Sequence, residues 1–191
     1  MRVIVAAALA LLAPNAISAQ PPTTTRPEAS ANPIVETFSS FGYYGGWLMA
    51  AFDSIPANRY AYKPTPPQQS IGYIAQHLED ANNQLCTIIG GVNRRMTARD
   101  SLPDTVKAAW PKDTLVARLR ASLLFCKAAL DSLNDRELAE EITVGPPGTG
   151  RTAPRVRWVI LLFTDLAEHY AQIASYMRLL GMVPPSALRA P

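Results

Sequence analysis

The stretch APRVRWVILLFTDLAEHYAQIASYMRLL, residues 153–180, decides how the rest of this chain is interpreted. Its apolar residues recur every three or four positions, which is the period of an α-helix with one buried face. Gly181 and the pair Pro184–Pro185 follow and would end the helix. Thr152 stands where an N-cap residue is expected. The sequence therefore predicts one long helix from Ala153 to Leu180.

Three further segments carry the same helical signals. They are residues 32–56 with Asn32 as N-cap, 70–90 with Ser70 as N-cap, and 113–133 with Asp113 as N-cap. Glycines at positions 42, 45 and 46 weaken the middle of the first segment. Outside the helices, only the short EITV before Gly145 alternates with the period of a strand. Four long helices predict an all-α fold, a four-helix bundle, and the connection from Gly90 to Asp113 is long enough to be a crossover between the second and third helices.

The stretch GPPGTGRT, residues 145–152, has the spacing of a phosphate-binding loop with arginine in place of lysine. Such a loop follows a buried parallel strand, and its magnesium-binding aspartate ends a different strand. Here the loop is expected between two helices, and VILLFTD, residues 159–165, belongs to the helix that follows it. The sequence therefore argues against nucleotide binding.

The first residues are typical of an exported protein. MRVIVAAALALLAPNAISAQ has a basic residue, then an apolar run, then small residues ending at Ala19, which is the layout of a cleavable signal peptide. Residues 20–31 form a Pro/Thr-rich tether, and residues 32–191 are assigned to the bundle. We expect a periplasmic or secreted protein with no membrane contact once the signal peptide is removed.

Composition narrows the class of partner. The chain has 191 residues, of which 48% are hydrophobic, and a formal net charge of only +3. One globular domain without a nucleic-acid surface is expected, because the basic residues are scattered. Cys86 and Cys126 lie in helical segments, where an oxidising compartment permits a disulfide and a reducing one would leave two small buried hydrophobes. The sequence alone leaves both open.

The sequence contains two histidines, and both fall within predicted helices. His77 lies one turn after Ile74, at the edge of the inward face of its helix. Asp165 precedes His169 by one turn, so these two side chains project from the same face of the last helix. Two imidazoles and a carboxylate on neighbouring helices form the type of metal site that bundles build, with coordination positions left for water or substrate. The same spacing also suits an Asp–His hydrogen bond and a core histidine.

Two stretches together resemble a known family. In residues 54–86, SIPANRYAYKPTPPQQSIGYIAQHLEDANNQLC, an extended Tyr/Pro segment leads into the helix with His77. In residues 165–188, DLAEHYAQIASYMRLLGMVPPSAL, His169 is followed by Gln172, Tyr176, Arg178, Gly181 and Pro184–Pro185. Both stretches resemble the DinB/YfiT-like family of proposed metalloenzymes. Trp47 and LRASLLFCKAAL also resemble it, so the likeness extends over residues 32–188.

The resemblance implies a four-helix bundle, often dimeric, with a divalent metal ion held by three histidines at one end. His77 and His169 fall on ligand positions, while Asp165 stands where the family has a further histidine and Ala171 replaces a glycine. The implied site is therefore His77, Asp165 and His169. Because a carboxylate makes it harder and more anionic, zinc, nickel, manganese and iron all stay open.

Function is implied only broadly. Some members of the family activate a low-molecular-weight thiol with their metal, and metal-activated water is equally compatible with the residues. We therefore expect a metal-dependent transferase or hydrolase acting on an unidentified small molecule, with a homodimer as one assembly. The alternatives are a non-catalytic bundle with a degenerate metal site, which binds a small ligand or protein partner, and a structural bundle held by a disulfide. Asp80 and Glu168 are candidate bases, although exposed helix carboxylates explain them as well.

Overall fold

The computed structural model describes residues 30–92, 96–146 and 148–188. The predicted signal peptide, and all of the tether except Ser30 and Ala31, lie outside these residues, so the domain boundaries and export remain predictions. The helices are α1 Pro33–Ser40, α2 Tyr43–Ser54, α3 Ile71–Gly90, α4 Asp104–Lys107, α5 Lys112–Asp131, α6 Asp135–Ala139 and α7 Val156–Leu179, and the strands are β1 Glu141–Val144 and β2 Arg151–Pro154.

The four long helices α2, α3, α5 and α7 form the bundle. Helices α3 and α5 run parallel, because the Asn82–Ser122 hydrogen bond and the Cys86–Cys126 disulfide both join residues 40 positions apart. Parallel neighbours cannot be joined by a short turn, and the chain from Gly91 to Pro111, which contains α4, makes the crossover. The predicted bundle and its long second connection are confirmed.

The core lies where the four helices face one another. It is built from leucine, isoleucine and aromatic side chains of all four, including Leu48, Phe52, Ile74, Leu78, Leu119, Leu162 and Ile173. The Ser70 hydroxyl accepts a hydrogen bond from the Tyr73 amide, which confirms the predicted cap of α3. Gly91 ends α3 in the left-handed conformation, as the sequence predicted, because a residue without Cβ adopts φ of 62° without strain.

The prediction of a single helix over residues 32–56 is wrong. The chain turns at Phe41 and Gly42, so α1 ends at Ser40 and α2 begins at Tyr43. The Asn32 side chain does not cap α1. Instead the Asp135 carboxylate accepts hydrogen bonds from the Ile34 and Val35 amides, while Asn32 accepts from the Asp135 amide. A residue about a hundred positions away therefore satisfies the start of this helix, which no local pattern reveals.

The start of the last helix was also predicted wrongly. Thr152 and Ala153 belong to strand β2, which pairs with EITV in an antiparallel hairpin, and α7 begins only at Val156. The Gly/Pro stretch therefore connects two strands rather than two helices. The argument against a phosphate-binding loop stands, because the preceding strand is antiparallel and VILLFTD lies inside α7.

The third predicted helix starts slightly earlier than expected. It begins at Lys112 after Pro111, so Asp113 lies in the first turn rather than at the cap. There its carboxylate still favours the positive end of the helix dipole. The Lys112 ammonium donates to the carbonyls of Asp53 and Ile55, which ties the start of α5 to the end of α2.

Gly72 shows why the crossover can pack so closely on α3. A Cβ at this position would lie 2.3 Å from the carbonyl oxygen of Ala108, at the end of the crossover. Any other residue would push the two backbones apart.

Across residues 30–92, 96–146 and 148–188, no helix combines the length and apolar character that crossing a membrane requires.

Candidate metal centre

The candidate site forms where α3 and α7 pass each other in opposite directions. Arg155 Nη1 donates to the Ile89 carbonyl, so the start of α7 lies beside the end of α3. Tyr176 Oη donates to the Gln69 carbonyl, so the end of α7 lies beside the start of α3. Between these two points, His77 of α3 faces Asp165 and His169 of α7.

The structure brings the three predicted residues together. One donor atom from each of His77, Asp165 and His169 lies within 4.8 Å of the others. Asp165 Oδ1 is 3.7 Å from His77 Nε2 and 3.5 Å from His169 Nε2. Donors bonded to one tetrahedral ion at about 2.1 Å are separated by about 3.4 Å. The donor set and its spacing therefore fit a small divalent cation.

Asp165 has the electrostatics of a ligand carboxylate. Burial by itself raises its pKa, but the contacts with His169 and His77 outweigh burial and lower the pKa to about 2. The group is thus ionised at neutral pH. Its second oxygen, Oδ2, is buried and accepts no hydrogen bond from the described residues. A buried carboxylate oxygen without a donor is costly unless a cation compensates it, which again fits a metal site.

A chain of hydrogen bonds orients the His169 ring. Tyr176 Oη donates to the Gln69 carbonyl at 3.1 Å, so its oxygen is free to accept from Gln172 Nε2, also at 3.1 Å. Gln172 Oε1 then faces His169 Nδ1 at 3.0 Å as an acceptor. In the neutral ring the hydrogen is therefore placed on Nδ1, and the lone pair on Nε2 faces Asp165. Metal-binding histidines are commonly held by such outer hydrogen bonds.

The His169 pKa reflects both neighbours. Burial lowers it, but the contacts with Asp165 and Gln172 outweigh burial, so the pKa of His169 is raised above its ordinary value. His77 differs in its access to solvent. Its side chain is 36% exposed, against 8% for His169. The site is therefore anchored on α7 and open on the His77 side.

Asp80 and Glu168, the two carboxylates predicted as candidate bases, lie in different surroundings in the structure. Asp80 forms an ion pair with the ammonium of Lys107, a side chain that is itself buried between α4 and α3. This pairing gives Asp80 a structural role in holding the crossover. Glu168 is exposed on α7, as the plainer interpretation of the sequence has it.

Sequence reasoning missed the parts played by Gln172 and Tyr176. Their spacing predicts ordinary packing, and only the contact of Tyr176 with Gln69 shows that they form a chain to His169. The positions i, i+3 and i+7 after the histidine were the available signal, since they share one face of a helix. The cysteines are also settled, because Cys86 and Cys126 form a disulfide between α3 and α5.

Comparison with known families agrees with this geometry. The profile of the DinB superfamily matches residues 47–173, which is more than half of the chain and contains all three site residues. The chain belongs to the DinB superfamily. This confirms the family resemblance drawn from residues 54–86 and 165–188. No curated protein sequence matches the chain.

Solved structures share the DinB fold. A DinB-like protein from Bacillus cereus ATCC 10987 superposes with a TM-score of 0.59 at 19% identity, over 78% of this chain and 95% of that one. A conserved protein from Enterococcus faecalis gives 0.58 at 15% identity, over 77% and 96%. A mutant of mycothiol-dependent maleylpyruvate isomerase gives 0.55 at 10% identity, over 73% and 59%. At these identities the likeness concerns the fold.

Proposed function

We propose that this chain is an exported DinB-superfamily protein that binds one divalent metal ion and acts as a metal-dependent transferase or hydrolase on a small molecule. The ligands are His77, Asp165 and His169. The observation that carries the proposal is the convergence of their donor atoms within 4.8 Å, with Asp165 Oδ2 buried and without a hydrogen-bond donor among the described residues.

The number of protein ligands favours catalysis over a structural metal. Structural zinc sites are closed by four protein ligands, whereas three ligands leave room for water or substrate. A bound divalent cation would supply Lewis acidity and lower the pKa of a coordinated thiol or water. The exposed side of His77 is where a small molecule would approach. The buried side, with Asp165 and the Gln172–Tyr176 chain, would keep His169 in its binding orientation.

Two reactions fit these groups. Transfer to or from a low-molecular-weight thiol is supported by the shared fold of the mycothiol-dependent isomerase named above. Hydrolysis by activated water needs the same ligands and no thiol. Export favours hydrolysis, because a protein outside the cytoplasm meets few free thiols. The first substrates to screen are therefore esters and amides of small molecules, followed by thiol adducts.

Export itself is supported by two features. The first residues have the layout of a signal peptide, and the disulfide between α3 and α5 is of the kind that persists in oxidising compartments. Mass spectrometry of the protein recovered from the periplasm or medium should give a chain beginning at Gln20. Recovery of an intact chain in the cytoplasm, with both thiols reduced, would contradict export.

Metal content tests the proposal directly. The purified protein, loaded with zinc, nickel, manganese or iron in turn and desalted, should retain close to one ion per chain by mass spectrometry. His77→Ala and His169→Ala should each lose it. Gln84→Ala is the matched control and should retain the ion, because Gln84 is exposed on α3 about two turns after His77.

The alternative function has its own result. If the wild-type chain stays free of all four metals while circular dichroism shows it folded, the metal proposal fails and the histidines have only a structural role. The chain is then a non-catalytic bundle, and the search turns to ligands and partners. Stoichiometric metal without turnover of any thiol adduct, ester or amide would refute the enzyme and leave metal binding.

A further inference from the structure

A cavity lies between α2 and α5, whereas the candidate metal centre lies between α3 and α7. It has a volume of about 650 Å³, within the range of small-molecule pockets. Helices α2 and α5 form its walls and α7 forms its floor through Leu162, Phe163 and Leu166, all of which are buried. Asp165 and His169 are close to Leu162 and Leu166 along α7, but they face His77 of α3, and none of these three polar residues lines the cavity. The two sites are therefore separate.

Three glycines at and before the start of α2, Gly42, Gly45 and Gly46, line the cavity. A Cβ at Gly46 would meet no atom within 4 Å, whereas a Cβ at Gly45 would lie 3.2 Å from Leu123 Cδ2, so the open space is at Gly46. Glycine in a helix interior costs about 1 kcal/mol relative to alanine. The same glycines weaken the first predicted helix. Two of the residues that line the cavity, Gly45 and Gly46, are therefore unfavourable for α2 itself.

The shape and lining favour an elongated apolar ligand. Along α5 the lining runs from Arg120 to Asp131, which is about 16 Å at the rise of an α-helix. Met49, Leu123 and Leu130 supply apolar walls. Leu124 also lines the cavity and is 63% exposed, so the cavity opens to solvent along α5. A hydrocarbon chain fits such a slot.

The charged side chains that line the cavity are Arg120, Lys127 and Asp131, and their net positive charge favours an anionic head. Arg120 and Lys127 both line the cavity and lie two turns apart on α5. Arg120 pairs with Asp53 at 2.9 Å, and Lys127 pairs with Asp131, with all four side chains about half exposed or more. Exposed ion pairs of this kind are weak, so a carboxylate can compete for either cation.

We propose that this cavity binds a single-chain amphiphile with an anionic head, of the class of long-chain carboxylates. The hydrocarbon lies between α2 and α5 on the floor of α7. The carboxylate lies at the mouth with Arg120 and Lys127. This binding is independent of the metal, since no ligand of the candidate metal centre lines the cavity.

The test uses titration of the purified protein with dodecanoate below its micelle concentration. Affinity should rise by up to about fourfold for each methylene between octanoate and dodecanoate. Dodecyltrimethylammonium has the same chain and the opposite charge, and should bind at least tenfold more weakly. The Arg120→Gln/Lys127→Gln double variant should lose this preference while keeping part of the affinity for the chain.

Filling the cavity supplies the decisive variant. Gly46→Leu places a side chain in the free space and raises helix propensity, so the protein should remain folded and lose dodecanoate affinity at least tenfold. Ala171→Leu, at an exposed position of α7 outside the cavity lining, is the matched control and should bind as wild type.

Three results would overturn the proposal. One is the absence of saturable dodecanoate binding. Another is equal binding by folded Gly46→Leu and wild type. The third is a homodimer in solution that Leu124→Asp converts to monomers, with no amphiphile bound in either state, because a second copy would then cover this face. Loss of metal in His77→Ala leaves all three readouts unchanged, so the two sites are tested separately.

Discussion

Two carboxylates, Glu79 on α3 and Asp165 on α7, have different surroundings. The Glu79 side chain is buried, whereas the Asp165 side chain is 19% exposed and has one buried oxygen. Glu79, between α3 and α5, accepts from Arg118 Nε and Nη2 and from Asn83 Nδ2, so both of its oxygens have donors. Asp165, between α7 and α3, faces two histidines at 3.5 and 3.7 Å and keeps one buried oxygen without a donor among the described residues. The first arrangement is complete within the chain. The second leaves one carboxylate oxygen without a donor among the described residues, and this difference supports the metal site proposed above.

The largest expected effect belongs to the disulfide, which ties α5 to α3. Replacing both Cys86 and Cys126 by alanine removes a crosslink over a sequence separation of 40, which in the loop-entropy account costs about 4 kcal/mol of unfolding free energy. Urea denaturation of the metal-free protein measures it. A loss of unfolding free energy below about 1 kcal/mol would mean that side-chain packing alone holds α3 against α5.

Arg118 comes next, because its guanidinium donates to both oxygens of the buried Glu79 carboxylate and its removal breaks a buried ion pair. Arg118→Met should lower the unfolding free energy by about 3 kcal/mol. Arg120→Met, which breaks only the exposed pair with Asp53, is the matched control and should cost under about 1 kcal/mol. Equal losses of unfolding free energy in the two variants would show that the Arg118–Glu79 pair contributes no more than the exposed Arg120–Asp53 pair.

The series of hydrogen bonds that links Gln69, Tyr176, Gln172 and His169 should affect metal affinity rather than protein stability. Gln172→Leu should weaken metal affinity by about 10- to 100-fold, and Tyr176→Phe by about tenfold, since both free the imidazole to rotate. Ser175→Ala, on the exposed side of α7, is the control. Nitrogen chemical shifts of metal-free protein, recorded at a pH where the His169 ring is neutral, should place the His169 hydrogen on Nδ1 in wild type and not in Gln172→Leu.

The smallest expected effect is the contribution of Asp165 to the unfolding free energy of the metal-free protein. This contribution should depend on pH. The His169 pKa is raised in the folded state, so the Asp165–His169 attraction stabilises fully below the ordinary histidine value of 6.5 and fades as pH rises through the folded pKa. The Asp165 pKa is lowered, so the stabilisation from its ionised carboxylate is fully present above the ordinary value of 3.8 and is lost as pH falls toward 2. Asp165→Asn should therefore cost about 1 to 2 kcal/mol at pH 5.5 and less at pH 9.

Thermal or urea unfolding at the two pH values, with a chelator present, checks this. A cost that stays equal at pH 5.5 and pH 9 would show that the carboxylate acts through packing. Asp165→His adds a second readout, because it restores the histidine usual in the family at this position. It should shift metal preference toward softer ions such as zinc, since imidazole replaces the harder carboxylate oxygen.

The sequence by itself determined the long helices and which residues share a face. His77, Asp165 and His169 were recoverable because each lies in a strongly periodic segment, where position along the chain gives position on the helix. The caps at Ser70 and Gly91 were recoverable for the same reason, since their partners lie within one turn. The family resemblance added the expectation that the two helices meet.

The tertiary structure decided whatever depends on partners far apart in the chain. The capping of α1 by Asp135 and the pairing of β1 with β2 both involve contacts that the pattern within one segment does not encode. So do the orientation of His169 through Tyr176 and Gln69, and the unmatched oxygen of Asp165. A periodic sequence specifies the faces of helices, whereas the free energy of packing selects which faces meet. Only that choice gives both oxygens of Glu79 their donors and leaves one oxygen of Asp165 without a donor among the described residues.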